Sequence, residues 1–270
     1  MSKVITGNVA GIDFEAPLVL SDAHLRKVID DLETCPRVAL DLETTGYEGQ
    51  KDYGPDCGQI RLAQIAWREH DQLRAVVIDG QAADLSLLAP LLESDTGKLI
   101  HYSPFERSWI RHHLGLEING VIDTCYLGQS INKALRGRVA DGLTSDREDR
   151  KALQRDLFKL ADSYSLPSGG EVSIIEVKAA YDEADIPLEG WKLGERATLA
   201  DMAKRYLGRE IDKAGQTSDW SGFLTDEQLV YAAGDAVVTL EIFPMVKTIA
   251  DQLEVYGNMV RRVGYDSERG

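Results

Sequence analysis

Three short segments of the chain carry the side chains that metal-dependent chemistry needs. Asp41 and Glu43 flank Leu42 at the end of the apolar run RVALDL, residues 37–42. Residues two apart on a strand face the same side, so both carboxylates project together. Two acids on one face of a buried strand are costly unless positive charge sits between them. Hard oxygen ligands of this kind favour Mg²⁺ or Mn²⁺. The same pair also fits a solvent-facing strand end that only begins a loop. Tyr231 and Asp235 form the second constellation, stacked on one helix face by their i, i+4 spacing. Ala232, Ala233 and Ala236 leave that helix small-sided, which lets it approach another element closely. Alone, the pair reads equally as a packing tyrosine and a surface aspartate. The third segment is HYSPFE, residues 101–106. Ser103 as N-cap, Pro104 at N1 and Glu106 at N3 compose a capping box. Glu106 is then either a cap beside the helix's positive end or a carboxylate reaching into a cleft.

The elements that must position these groups follow from periodicity. Residues 1–15 read as an extended or hairpin-like start. Ser21 caps a helix whose Leu25, Val28, Ile29 and Leu32 follow helical spacing, and Pro36 closes it. Strands are expected at 37–42, 60–67 and 75–78, with the Gly- and Asp-rich segment 46–58 as an exposed loop between the first two. A helix over 84–93, a strand at 98–101, a helix from Pro104 and a strand at 120–122 follow. Hairpin-spaced strands followed by alternating strand and helix imply an α/β fold with a mixed sheet and helices on its faces. Residues 137–198 interrupt the order with helical pieces at 149–163 and 172–184, separated by a loop at 165–170. Their nine Lys and Arg against thirteen Asp and Glu exclude a basic arm. Thr198 with Asp201 and Thr225 with Gln228 are capping boxes for two further helices; Gly208 stops the first, and the second is expected to run to about Phe243. Asp123 is expected to cap a helix from Thr124.

Composition limits the function classes. The 270 residues carry 30 Lys and Arg against 45 Asp and Glu, a net charge of −15. Hydrophobic residues at 43% suffice for a core. No apolar run approaches the roughly 18–20 residues of a membrane span. The N-terminus has no basic start followed by an apolar stretch, so a cytoplasmic location and no secretory signal are expected. Cys35, Cys57 and Cys125 lack metal-ligand spacing and are expected as free thiols. The acid excess argues against wrapping a long nucleic acid, which requires many cationic contacts to phosphate.

Taken in order, the motifs resemble the DEDD superfamily of 3′–5′ exonucleases, in its tyrosine-bearing subgroup, which includes ribonuclease D and the proofreading domains of family A DNA polymerases. The first resembling motif is VALDLETTG at 38–46, the second HYSPFERSWI at 101–110, and the third YAAGD at 231–235 within LADMAKRYLG…DKAGQTSDW…LTDEQLVYAAGDA. The histidine-bearing subgroup would have His where this chain has Val230. The resemblance covers about 16–130 and 199–245. It implies a ribonuclease H-like mixed five-stranded sheet flanked by helices, one domain over 1–270, and a helical insertion at about 137–198 that offers a surface for a protein partner. It also implies two divalent ions, Mg²⁺ or Mn²⁺. Asp41 would bridge them, Glu43 and Asp235 would complete the tighter site, and Glu106 would support the looser one. Tyr231 would orient the attacking water, and Leu42, Thr44, Thr45 and Phe105 would line the site of the 3′-terminal nucleotide. Trp220 is expected to pack. Catalytic residues are thus expected at Asp41, Glu43, Glu106, Tyr231 and Asp235. The implied reaction releases nucleoside 5′-monophosphates from the 3′ end of single-stranded DNA or RNA, with DNA slightly favoured. The family has Asp where this chain has Glu106, which lengthens the reach by about one bond and favours Mn²⁺. The same departure supports an alternative, a catalytically impaired nucleic-acid-binding or scaffold protein on the exonuclease fold. Two divalent ions would bring the charge from −15 to about −11, so the acid excess restricts substrate engagement to short contacts at an end.

Overall fold

Apolar runs and turn residues translate into nineteen or so short decisions along the chain, and the computed structural model describes them for residues 3–46, 54–160, 162–183, 197–212, 215 and 218–257. Strands β1 (Val4–Val9) and β2 (Ile12–Val19) form a hairpin, turned at Ala10 and Gly11 with φ of 51° and 75°. Helix α1 (Asp22–Leu32) starts where Ser21 accepts a hydrogen bond from the His24 N–H, and it buries Leu25, Val28, Ile29 and Leu32 as their spacing predicts. Strands β3 (Arg37–Thr44), β4 (Ile60–Glu69) and β5 (Gln72–Asp79) pair as an antiparallel meander. The expected helix over 84–93 is a 3₁₀ turn, Leu85–Leu88, leading into the single turn α2 (Ala89–Leu92). Then come β6 (Gly97–Ile100), α3 (Pro104–Leu114), β7 (Val121–Asp123) and α4 (Thr124–Leu143).

The sheet has the order β1-β2-β5-β4-β3-β6-β7. The five expected strands are therefore present and contiguous, but the sheet is seven-stranded. The starting hairpin joins it because β2 runs parallel to β5, pairing Leu18 with Val77 and Val19 with Ile78. That pairing buries Phe14 and Ala16 and covers what would otherwise be an open edge of β5. Strand β3 lies inside the sheet, antiparallel to β4 and parallel to β6.

Residues 137–198 differ from the expected helical insertion in two respects. Helix α4 runs unbroken through residue 137 to Leu143. Gly137 does not interrupt it; a Cβ there would lie 2.9 Å from Gln154 Nε2, so the glycine permits a close approach of the next helix. That helix is α5 (Arg147–Asp156), followed by a small antiparallel hairpin of β8 (Ser163–Ser165) and β9 (Glu171–Ser173) and by α6 (Ile174–Glu183). The hairpin replaces the expected helical ends because the buried Asp149 carboxylate takes hydrogen bonds from the Ser168 backbone and hydroxyl, fixing the 165–170 turn. The remainder of the predicted insertion, 184–196, and part of the predicted loop, 47–53, lie outside the described residues.

Helix α7 (Leu199–Leu207) is capped by Thr198 and ended by a left-handed Gly208, as expected. Helix α8 (Asp226–Gln252) begins with the full capping box of Thr225 and Gln228. It continues past Phe243 and through Pro244. Proline normally stops a helix by removing a donor and clashing with the preceding turn, but Val246 and Ala250 remain buried and hold the last turns in place. Although long and apolar enough to span a membrane, α8 is 67% buried over its most apolar stretch and serves as the core helix beneath the sheet. Arg37 over the Phe243 ring at 4.7 Å and Arg68 bound to Glu241 at 2.6 Å tie it to β3 and β4.

Candidate active site

Strand periodicity places Arg37, Asp41 and Glu43 on the face of β3 that meets α8. The small residues Ala232, Ala233 and Ala236, all nearly inaccessible, let α8 approach closely and bring Asp235 to the two strand acids. Asp41, Glu43 and Asp235 each present a carboxylate oxygen within 4.8 Å of the other two. A bulge between Glu43 and Thr44 marks where the strand leaves its ladder. One helical turn before Asp235, Tyr231 shares a side-chain hydrogen bond with it. Backbone packs directly on the Tyr231 ring: a Cβ on Gly215 would lie 2.2 Å from Tyr231 Cγ. Trp220, 2% exposed, supports the tyrosine with ring centroids 6.4 Å apart, in the packing role expected of it.

The site is electrostatically frustrated. Burial raises the Asp41 carboxyl well above the usual carboxylate range, and repulsion from Asp235 adds to it. Glu43 is raised by burial, then by Asp41, Asp235 and Glu106. Tyr231 is held far above an ordinary phenol, first by burial and then by the negative charge of Asp235 and Glu43. It is a fixed proton donor at neutral pH, and not a base.

Glu106 reaches the site by a route different from the predicted capping box. Ser103 is already helical, with φ −53° and ψ −20°, and its hydroxyl caps nothing. A capping side chain requires an extended N-cap residue, and Tyr102, at φ 75°, turns the chain one residue too early for that. The Ser103 N–H instead donates to Asp123 Oδ2 at 2.7 Å, while Asp123 Oδ1 takes the Tyr126 N–H at 2.9 Å and caps α4 as expected. Glu106 is 2% exposed, and its buried Oε2 has no hydrogen-bond partner among the described residues. Burial and then the charge of Asp41 raise its carboxyl, which its own backbone N–H offsets only in part. It faces the acid cluster from α3 without belonging to the group of three.

The four predicted nucleotide-lining residues divide into two pairs. Leu42 and Thr44, each 5% exposed, are buried, and Leu42 sits in the apolar core on the pleat opposite the acids. Alternation along β3 puts these two residues on the opposite pleat from Asp41 and Glu43. Thr45 ties the loop after β3, its hydroxyl accepting from the Gln59 N–H at 2.8 Å. Phe105 is half-buried at the start of α3, with its ring 5.8 Å from Trp109. A residue that motif reading passed over lies directly across the ladder from Asp41: Gln64, fully buried, with neither amide atom hydrogen-bonded. The strand pairing of 37–44 with 60–67 was its only available signal. A cavity of about 1120 Å³, bounded by the Asn8–Gly11 turn, 209–212 and the first turns of α8, opens onto Tyr231 and Asp235.

Three carboxylates within 4.8 Å of one another, with Asp41 and Glu43 raised by burial and a fourth acid nearby carrying an unpartnered oxygen, fit a divalent cation held by oxygen ligands. The mixed sheet, the central acid-bearing strand and the acid-bearing core helix define an α/β fold of the ribonuclease H-like class. Solved structures share this fold: the catalytic core of Rrp6 from Trypanosoma brucei (TM-score 0.56, 16% identity, 92% of this chain and 50% of that one) and RNase D from Escherichia coli (0.52, 18%, 92% and 50%). Residues 18–251 match the 3′–5′ exonuclease family model, and the chain belongs to that family. It is 39% identical over 246 residues to DNA polymerase I of Aquifex aeolicus, covering 90% of this chain and 29% of the polymerase. It is also 31% identical over 138 residues to the mouse bifunctional 3′–5′ exonuclease/ATP-dependent helicase WRN, covering 49% of this chain and 9% of that protein. The chain thus spans less than a third of the length of these relatives.

Proposed function

We propose that this chain hydrolyses the terminal phosphodiester at the 3′ end of single-stranded nucleic acid, with DNA slightly favoured over RNA. Water adds to phosphorus, the bond to the 3′ oxygen breaks, that oxygen takes a proton, and a nucleoside 5′-monophosphate leaves. The observation that carries this reading is the approach of Asp41, Glu43 and Asp235 within 4.8 Å, beside a hydrogen-bonded Tyr231. Those three acids would hold Mg²⁺ or Mn²⁺, with Glu106 supporting a second, looser ion. Such ions, when bound, supply Lewis acidity that loosens a water proton and offsets charge on the phosphate. Tyr231 remains protonated and orients the water through its hydroxyl. The cavity above Tyr231 and Asp235 has room for a nucleotide, and Thr45 and Phe105 would receive the terminal base. Similarity to DNA polymerase I over most of the chain supports the DNA preference; the RNase D of T. brucei solved in complex with RNA U12, a fold relative, supports RNA as the second substrate.

The test is release of mononucleotides from labelled DNA and RNA oligonucleotides with Mg²⁺, with Mn²⁺ and with EDTA. Activity that survives EDTA refutes the metal-dependent scheme. One observation favours a second reading, a catalytically impaired nucleic-acid-binding protein: Glu106 stands outside the group of three. A wild type that cleaves nothing, beside a Glu106→Asp variant that does, would establish it.

A further inference from the structure

Tyr102 occupies a conformation that its own packing does not explain. Its φ of 75° is left-handed, which glycine adopts freely and a tyrosine adopts at a cost. The backbone on both sides is locked by interior contacts. His101 Nδ1 lies 3.0 Å from Thr124 Oγ1, the Ser103 N–H is held by Asp123, and the Tyr102 carbonyl accepts the Phe105 N–H at 3.2 Å. These contacts require the turn but not the aromatic ring, and glycine would make the turn more cheaply. The ring itself is 51% exposed. It is steadied by an edge contact with Tyr126, centroids 6.3 Å apart and planes at 86°. Continuing the parallel register of Ala39 with Leu99 by two residues brings His101 level with Asp41. Tyr102 therefore leaves the sheet at the edge that carries the acids, four residues before Glu106.

Strain at an observed outlier beside a reactive cluster points to function. A flat aromatic face at such a place suits a nucleobase, which every nucleotide supplies regardless of sequence. Charge points the same way. A chain with net −15 gains little affinity from phosphate contacts and counterion release, so uncharged stacking is the available source. We propose that Tyr102 is a stacking platform for a nucleobase of the single strand whose 3′ end is held at the acids. This rests on the exonuclease reading above.

The test compares wild type, Tyr102→Phe and Tyr102→Gly in thermal melting, in steady-state cleavage of a single-stranded DNA oligonucleotide, and in EDTA binding of the same labelled oligonucleotide by fluorescence anisotropy. Tyr102→Gly is expected to melt at or above the wild-type temperature while KM and the dissociation constant rise about tenfold, the loss of roughly 1.4 kcal/mol of stacking. Tyr102→Phe should match wild type, because the ring stacks and the hydroxyl does not. A Tyr102→Gly variant within twofold of wild type in both KM and binding overturns the proposal, as does equal weakening by Phe and Gly. A wild type that binds without cleaving sinks the exonuclease reading alone, and the binding comparison still judges Tyr102. A wild type that neither binds the oligonucleotide in EDTA nor cleaves it with Mg²⁺ overturns both.

Discussion

Replacing Asp41 by Asn separates the cost of the acid cluster from its use. Two unit charges within 4.8 Å repel by at least about 3.5 kcal/mol at an effective dielectric of about 20. Asp41 and Glu43 relieve part of this by holding protons, since both titrate above ordinary carboxylates. The unfolded chain releases those protons above about pH 4. Between there and the native pKa values the folded state binds more protons than the unfolded one, so stability of the metal-free protein falls as pH rises. In EDTA at pH 8, Asp41→Asn should therefore be more stable than wild type by about 1–3 kcal/mol, the unrelieved part of that repulsion. At about 2–4 °C per kcal/mol this is a visible shift in melting temperature. Adding Mg²⁺ at about 100 times its dissociation constant should stabilise wild type by about 2.7 kcal/mol and the variant by much less. Activity should fall at least about 100-fold, more than losing an outer-shell partner costs. Differential scanning calorimetry with and without Mg²⁺, across pH 5–9, reads all but the last. An Asn variant less stable than wild type in EDTA, or one retaining the full Mg²⁺ shift, refutes the reasoning.

Tyr231→Phe removes the hydroxyl bound to Asp235 and keeps the ring under Gly215; kcat should drop about 100-fold or more with KM little changed, and an unchanged kcat would deny the hydroxyl a part in catalysis. Gln64→Met replaces two buried, unpartnered amide atoms by a side chain of similar length, and denaturant unfolding in EDTA should show a gain of about 1–3 kcal/mol; a loss of stability would mean that the amide is satisfied in solution. His101, pushed down to about 4 by burial, should stay neutral across the physiological range. Its lowered value works opposite to the acids, removing stability as pH falls from about 6.5 towards 4. An NMR titration of its ring with a midpoint near 6.5 would show that the buried pocket is open to water.

The group of three acids was legible because each member obeys a local rule. Period two on β3 pairs Asp41 with Glu43, and period 3.6 on α8 pairs Tyr231 with Asp235. What joins the pairs, a small-sided helix face against a central strand, was foreshadowed by Ala232, Ala233 and Ala236. The misread parts are those where a local rule met a tertiary contact. Ser103, Pro104 and Glu106 satisfy a capping box in sequence, yet Asp123, twenty residues on, claims the Ser103 N–H. Pro244 reads as a helix stop until the burial of Val246 and Ala250 is known. The hairpin start adds two strands through parallel pairing with β5, a contact across sixty residues that no periodicity announces.

Several residues that break physical rules lie close together. Buried like charges at Asp41 and Glu43, an unpartnered carboxylate oxygen at Glu106, an unpartnered amide at Gln64 and a left-handed Tyr102 all fall where β3, β4 and β6 end or face α8. Several buried charged groups elsewhere are answered within the chain: Arg61 is bound to Asp79, Lys98 Nζ donates to the Ser94 carbonyl at 2.6 Å, and Asp149 accepts from Ser168. A cluster of mutually repelling carboxyls and an exposed ring on a left-handed residue, at the same end of the sheet, fit partners that come from outside the chain. Divalent cations would answer the carboxylates, and a nucleobase would answer the tyrosine. The two kinds of ligand together describe the 3′ end of a nucleic acid strand better than either does alone.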